Sequence, residues 1–235
     1  MAPIMATAAT TTMGTKADNR SLIRLMTWLS PAFPVGAFAY SGGLERAVHD
    51  GLIGDSAALA TWIEAAMTCG TWRNDAILLA EAWHGHDDPG RLDDVIELAS
   101  ALAGSAERHL EILMQGEAFV AAAAAWPHPL LARLGQRPPY GIAVGAVAAA
   151  HGVPLESTLS AYLHALASQA VSSAIRLGVL GQKQGVDLLA ALEIPVIRAA
   201  EAAASAGLDD LGSAIMIGDI AAIRHESQYS RLFRS

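Results

Sequence analysis

The chain has 235 residues, one cysteine and a formal charge of −8, with 53% hydrophobic but only 16% charged residues. That length supplies the core of one domain, or at most two small ones, without covalent staples, and a lone Cys69 excludes an intrachain disulfide and fits a reducing, cytoplasmic setting. The residues from Arg224 onward carry three arginines and one glutamate, a net +2 that leaves −10 on the remainder, and an acidic body of this kind argues against nucleic-acid binding.

The first twenty residues are rich in Ala and Thr and lack a leucine-type apolar centre. They make a poor secretory signal and are expected to form a disordered leader. After Asn19 or Ser21, either of which can cap a helix, Leu22, Leu25, Met26 and Leu29 recur at helical spacing until Pro31 and Pro34 stop it. A second helix begins near Ser41 with Leu44, Val48 and Leu52. A third, capped by Asp55 or Ser56, carries Leu59, Trp62, Ile63, Ala66 and Met67. Asn74–Trp83 and Leu92–Leu102 continue the pattern, separated by the loop HGHDDPG. Ala106–Ala125 reads as one long helix closed by Trp126-Pro127.

Pro138-Pro139 opens a helix at Ile142, and the apolar run Gly141–Ala150 is half the roughly 20 residues a membrane span needs, so it reads as a buried helix. Pro154 starts the next, with Leu155, Leu159, Leu163, Leu166, Ala170 and Ile175 on it. Its small residues Ala161, Ala165, Ser168 and Ser172 suit close helix approach, inside the domain or across a dimer axis. Gly178–Gly185 breaks the chain. Val186–Ala206 is helical with Pro195 as a kink or break, Leu208–Ser213 is a loop, and Ile220–Gln228 is a last helix. No run alternates as a strand would. The predicted class is all-α: a single-domain bundle of about ten helices over residues 21–223, followed by a tail, 224–235.

Three stretches invite a chemical reading. HGHDD brings His84, His86, Asp87 and Asp88 together, and imidazole suits nickel or zinc, but neighbouring groups on one loop seldom converge on one ion without support. AYSGG, Ala39–Gly43, resembles a nucleophile elbow without its first glycine; the preceding Pro31–Gly36 is a poor strand, so Ser41 reads more simply as a helix cap, with Glu45 in the first turns. No phosphate-cradling GxxxxGK[ST] occurs. The third is the tail, RHESQYSRLFRS, whose arginines and aromatics imply docking either on the acidic body or on an acidic partner. These readings favour an interaction protein over an enzyme.

The stretch SPAFPVGAFAYSGGLE, Ser30–Glu45, resembles the signature S-P-x-x-P-x-G-x-F-x-x-S-x-G-L-E of the UreF family of urease accessory proteins. Ser30, Pro31, Pro34, Gly36, Phe38, Ser41, Gly43, Leu44 and Glu45 all match. Similar family stretches follow at SAERHLEILMQGEAF, with Glu107, Glu111, Gly116 and Phe119, and from GIAVGAVAAAHGVPLE through AYLHALASQAVSSAIRLGVLGQKQG. The tail completes the set through His225, Glu226, Gln228, Tyr229, Ser230, Arg231, Leu232, Phe233 and Ser235. Lys183-Gln184 departs from a frequent Thr-Asp. The likeness spans residues 22–235.

That resemblance implies an all-helical, non-enzymatic homodimer that binds a second accessory protein, UreD (also called UreH), and recruits the GTPase UreG. The assembly delivers nickel to apo-urease, and the chain itself needs no cofactor. Tuning of the UreG GTPase cycle is a further implied role, and direct nickel binding by the His84/His86 loop is the alternative. The resemblance places the tail at the surface that meets UreD: Tyr229, Leu232 and Phe233 as apolar anchors, Arg231 and Arg234 as charged bonds that fix register, with Arg224, His225, Glu226 and Gln228 beside them. The Ser30–Glu45 stretch is expected to form a rigid surface turn beside that tail, with Tyr40, Ser41 and Glu45 as its partner-binding candidates.

Overall fold

A helix that is apolar on every face must be enclosed, and α8 (Tyr140–Ala150) is: Ile142 to Ala148 are all buried. The computed structural model describes the backbone of residues 11–235 and the side chains of residues 19–235. α4 (Thr71–His84) packs along α8, and the two approach closely at Gly145, where a Cβ would lie 2.3 Å from the Leu79 carbonyl oxygen. α6 (Ala106–Ala123) packs against α8 as well, and a Cβ on its Gly116 would lie 1.7 Å from the Pro138 carbonyl oxygen. Glycine is used at both places because backbone meets backbone.

The longest helix, α9 (Leu155–Arg176), packs on α11 (Glu193–Ser205), on α10 (Gln182–Ala191) and on α4. α3 (Ser56–Cys69) and α5 (Pro89–Ala101) flank α4. Aromatic rings line the core from Trp28 through Phe119 and Tyr140 to Tyr162, with successive centroids 6.5, 5.8 and 5.7 Å apart. Each such ring buries a large apolar area and packs edge-on or tilted, as ring quadrupoles favour.

No strand occurs among the described residues, in agreement with the all-α prediction, and they contain twelve α-helices rather than about ten. α7 (Leu130–Arg133) is a single turn without a periodic signal. The Val186–Ala206 segment divides at Leu192, between α10 and α11. Pro195 therefore falls in the first turn of α11, where a missing N–H costs no helical bond. Asp55, not Ser56, caps α3, accepting from Ala58 N at 2.8 Å.

α1 (Thr11–Trp28) starts well before Asn19; Met13, Lys16 and Ala17 are good helix formers, while residues 1–10 of the expected leader lie outside the described residues. The apolar face of α1 is also not one stripe. Leu25 and Trp28 turn inward, and Leu22, Ile23 and Met26 remain exposed. No described helix is long and apolar enough to cross a membrane.

Candidate functional site

Pro31 and Pro34 end α1, and the chain then turns on glycines. Gly36 is left-handed at φ 73° and leads into one 3-10 turn, Ala37–Ala39. Gly42 and Gly43 are both left-handed, at φ 60° and 81°, before α2 (Leu44–His49) begins. Two consecutive positive φ values explain the paired glycines. Gly43 has a second reason: its Cβ would lie 2.9 Å from the backbone nitrogen of Ala222 in α12 (Met216–His225), which packs directly on α2. From below, α9 holds this turn through Gln169, whose Nε2 donates to the carbonyls of Ala37 and Tyr40 at 2.9 and 3.1 Å.

The tail lies against that turn. Arg234 N donates to Ala39 O, and Ser41 N donates to Ser235 O, both at 2.8 Å. Ser41 Oγ donates to the same Ser235 carbonyl and accepts from Glu45 N at 3.3 Å. Glu45, buried in the first turn of α2, accepts from Leu232 N at 2.7 Å and from Phe233 N at 2.9 Å. His225 ends α12 with its ring between Glu45 and Glu107, at 3.2 and 2.7 Å. Arg231 pairs with the other oxygen of Glu107, and Ser235 Oγ donates to Glu111 Oε2 at 2.8 Å. Glu226 accepts from Ala106 N, a free donor at the start of α6.

Beneath the tail, Arg108 joins Asp75 of α4 to Glu111 of α6. Gln115 Nε2 donates to the same Glu111 oxygen that Arg108 holds. Burial pushes the Asp75 carboxyl above the ordinary carboxylate range, and Arg108 only partly offsets it. Burial works against the Arg108 charge, but Asp75 and Glu111 outweigh it and hold the guanidinium protonated. Burial likewise raises the hydroxyls of Tyr162 and Tyr140. A cavity of about 390 Å³ opens between α12 and α3, walled by Trp62, Ile53 and Ile215 and floored by Arg108 and Glu111 of this network.

The site residues named from the sequence therefore come together, but with different exposures. Tyr40, Glu45, His225 and Phe233 are buried in the chain's own body. Ser41 and Gln228 are half-buried; Arg224, Glu226, Arg231 and Arg234 are exposed, although Arg231 is held by Glu107. Tyr229 projects fully and Leu232 is 54% exposed. Phe233, named as a partner anchor, instead packs on Arg176, whose guanidinium lies 3.8 Å from the Phe38 ring centroid and 4.2 Å from that of Phe233. Arg176 also donates to the Phe38 carbonyl.

Sequence reasoning missed Arg176 and Gln169. Their signal is a pair of polar residues seven apart, which share one face, in a C-terminal half of α9 (residues 165–176) that is otherwise apolar or small. Arg176→Ala is expected to loosen residues 231–235 by about 0.5–1 kcal/mol, the cation–π contact with Phe233, while the lost Phe38 contacts loosen the turn beside them. Amide exchange of the tail measures it, with α8 amides as the unaffected reference.

The remaining candidates do not assemble. His84 lies edge-on to Trp83, His86 Nδ1 pairs with the Trp83 carbonyl at 2.9 Å, and Asp88 caps α5. Among the described residues no three His, Cys, Asp or Glu side chains converge as a metal site. Ser41 follows a 3-10 turn rather than a strand, and its hydroxyl contacts are to backbone groups, so no elbow forms.

The UreF family model matches residues 53–193. The urease accessory protein UreF of Agrobacterium fabrum (strain C58) is 55% identical over 223 residues, covering 95% of this chain and all of that protein. Its counterpart from Rhizobium etli (strain CIAT 652) is 56% identical over 218 residues, covering 93% and 98%. That of Sinorhizobium medicae (strain WSM419) is 52% identical over 223 residues, covering 95% and 100%. The chain belongs to the UreF family of urease accessory proteins.

Proposed function

We propose that this chain is a non-catalytic scaffold for metallocentre assembly in urease. It acts as a cytoplasmic homodimer, binds UreD (UreH) through the tail surface and recruits the GTPase UreG, so that nickel reaches apo-urease. The observation that carries the reading is a contrast along residues 224–235: His225 and Phe233 are buried and, with Glu45, seat the segment, while the Tyr229 side chain stands at full exposure and that of Leu232, whose amide Glu45 holds, is 54% exposed. Exposed apolar groups on a fixed frame are what a partner pocket takes, and tyrosine is among the residues that most often dominate interface energy. The exposed Arg234 adds positive charge suited to an acidic partner surface, while Arg231 and Arg224 are already paired with Glu107 and Asp50.

Tyr229→Ala tests this directly. Stability should stay within about 0.5 kcal/mol of the parent, because the side chain covers nothing in the fold. Co-purification with UreD should fall at least about tenfold, the effect of an anchor worth some 1.4 kcal/mol or more. Undiminished capture of UreD by Tyr229→Ala and by Leu232→Ala together would place the partner elsewhere. The proposed tuning of UreG has its own check: GTP turnover by UreG, measured with and without the complete assembly, should differ.

A further inference from the structure

His225 has no exposed side-chain surface, and each ring nitrogen faces a carboxylate oxygen: Nδ1 meets Glu107 Oε2 at 2.7 Å and Nε2 meets Glu45 Oε2 at 3.2 Å. An ionised carboxylate only accepts, and a neutral imidazole has one N–H and one lone pair. With Glu45 and Glu107 both ionised, the two contacts are both hydrogen bonds only when the ring carries both protons. With one proton, a ring lone pair faces an oxygen lone pair in a place closed to solvent, the costly arrangement for buried polar groups.

The same two carboxylates seat the tail. Glu45 accepts the amides of Leu232 and Phe233, and Glu107 accepts Arg231. Charges reach His225 from three sides: Glu45 on α2, Glu107 on α6, and Arg231 behind Glu107. With His225 protonated this set holds two negative and two positive charges; without the proton it is left at −1. Arg46, Asp50 and Arg224 form a separate outer group. Asp75, Arg108 and Glu111 connect to the tail through Ser235 and not through the histidine.

We infer that His225 is a proton-dependent latch for the tail: the imidazolium ties α12 to α2 and α6 and holds Glu45 and Glu107 in register, and loss of its proton releases residues 231–235. The sign follows from the contacts. The latched form is the protonated one, so the tail loosens as pH rises. The surface carrying Tyr229 and Leu232 loosens with it, and partner capture weakens on the alkaline side. That last consequence rests on the partner reading above; the latch does not.

The test uses the full chain labelled with ¹⁵N-histidine, without any partner. Ring-nitrogen shifts report the protonation of His225, and amide exchange at Leu232, Phe233 and Arg234, corrected for the intrinsic pH effect, reports the tail. The expected result is two protonated ring nitrogens while the tail is protected. As the ring becomes neutral, protection should fall at least about tenfold, the loss of one bond between charged groups, with α8 amides unchanged. His225→Gln should show low tail protection with no pH dependence; should it fold poorly, the titration of the parent chain decides alone. A singly protonated ring in the protected state overturns the latch. So does a ring that keeps both protons until the protein unfolds, or tail protection that ignores the ring's charge. Loss of UreD capture is read separately: failure of capture with a working latch strikes the partner reading only, and pH-independent protection strikes the latch only.

Discussion

Replacing Glu45 by alanine is expected to unseat residues 225–235 while the rest of the bundle stays folded. One buried carboxylate accepts the Leu232 and Phe233 amides and faces His225. Its removal leaves two amides without acceptors and an imidazole with one counter-charge, Glu107, in place of two. Breaking a buried pair from one side costs about 3–5 kcal/mol, and here the cost falls on the segment those bonds hold. Limited proteolysis should therefore cut near Tyr229 in Glu45→Ala but not in the parent, and α8 amides should exchange at their usual rate. The same variant separates packing from partner binding. If the tail is released and UreD is still captured, the tail is packing alone and the scaffold surface lies elsewhere. Capture lost in step with release supports the proposed interface. A tail as protected as the parent's would mean that Glu45 does not carry the seat.

The second large effect lies in the core. Gly145→Ala places a methyl 2.3 Å from the Leu79 carbonyl oxygen, and that oxygen belongs to the backbone of α4 rather than to a movable side chain. Overpacking costs about 1–3 kcal/mol where side chains can yield, so about 3 kcal/mol or more is expected here. For a domain of this size, that lowers the melting temperature by roughly 6–12 °C. Gly104→Ala is the matched control, because nothing lies within 4 Å of its added methyl. A thermal melt of the two variants beside the parent settles it; equal melting temperatures would show that α4 and α8 can separate freely.

Much of the fold was legible because helical periodicity is a local property. Pro31, Pro34 and Pro154 mark helix ends through their own backbone chemistry, and the unbroken apolar run at 141–150 can only be interior. The divisions that failed were those decided by neighbours. Nothing local in Leu22, Leu25 and Met26 says which of them faces Trp28's side of the helix, and the early start of α1 and the single turn of α7 carry no periodic signal.

The site divides in the same way. Part of its membership was present in the sequence, as the glycine turn at 36–43, Glu45 and the residues from Arg224 to Ser235, with Glu107 and Glu111 marked only by the family resemblance; Gln169 and Arg176 were not. Which of them point inward was not. Phe233 and Leu232 are adjacent large apolar residues, and only the position of Arg176, 57 residues earlier on α9, turns Phe233 under and leaves Leu232 out. His225 and Glu45 read as polar surface residues until α12 packs on Gly43 and closes water away from them. The helical class, the family and part of the cluster were readable along the chain, because periodicity, breakers and motifs are carried by near neighbours. Burial and charge pairing joined residues as far apart as Glu45 and Phe233, 188 positions, so only the tertiary structure could decide which side chains hold the tail and which remain free to meet a partner.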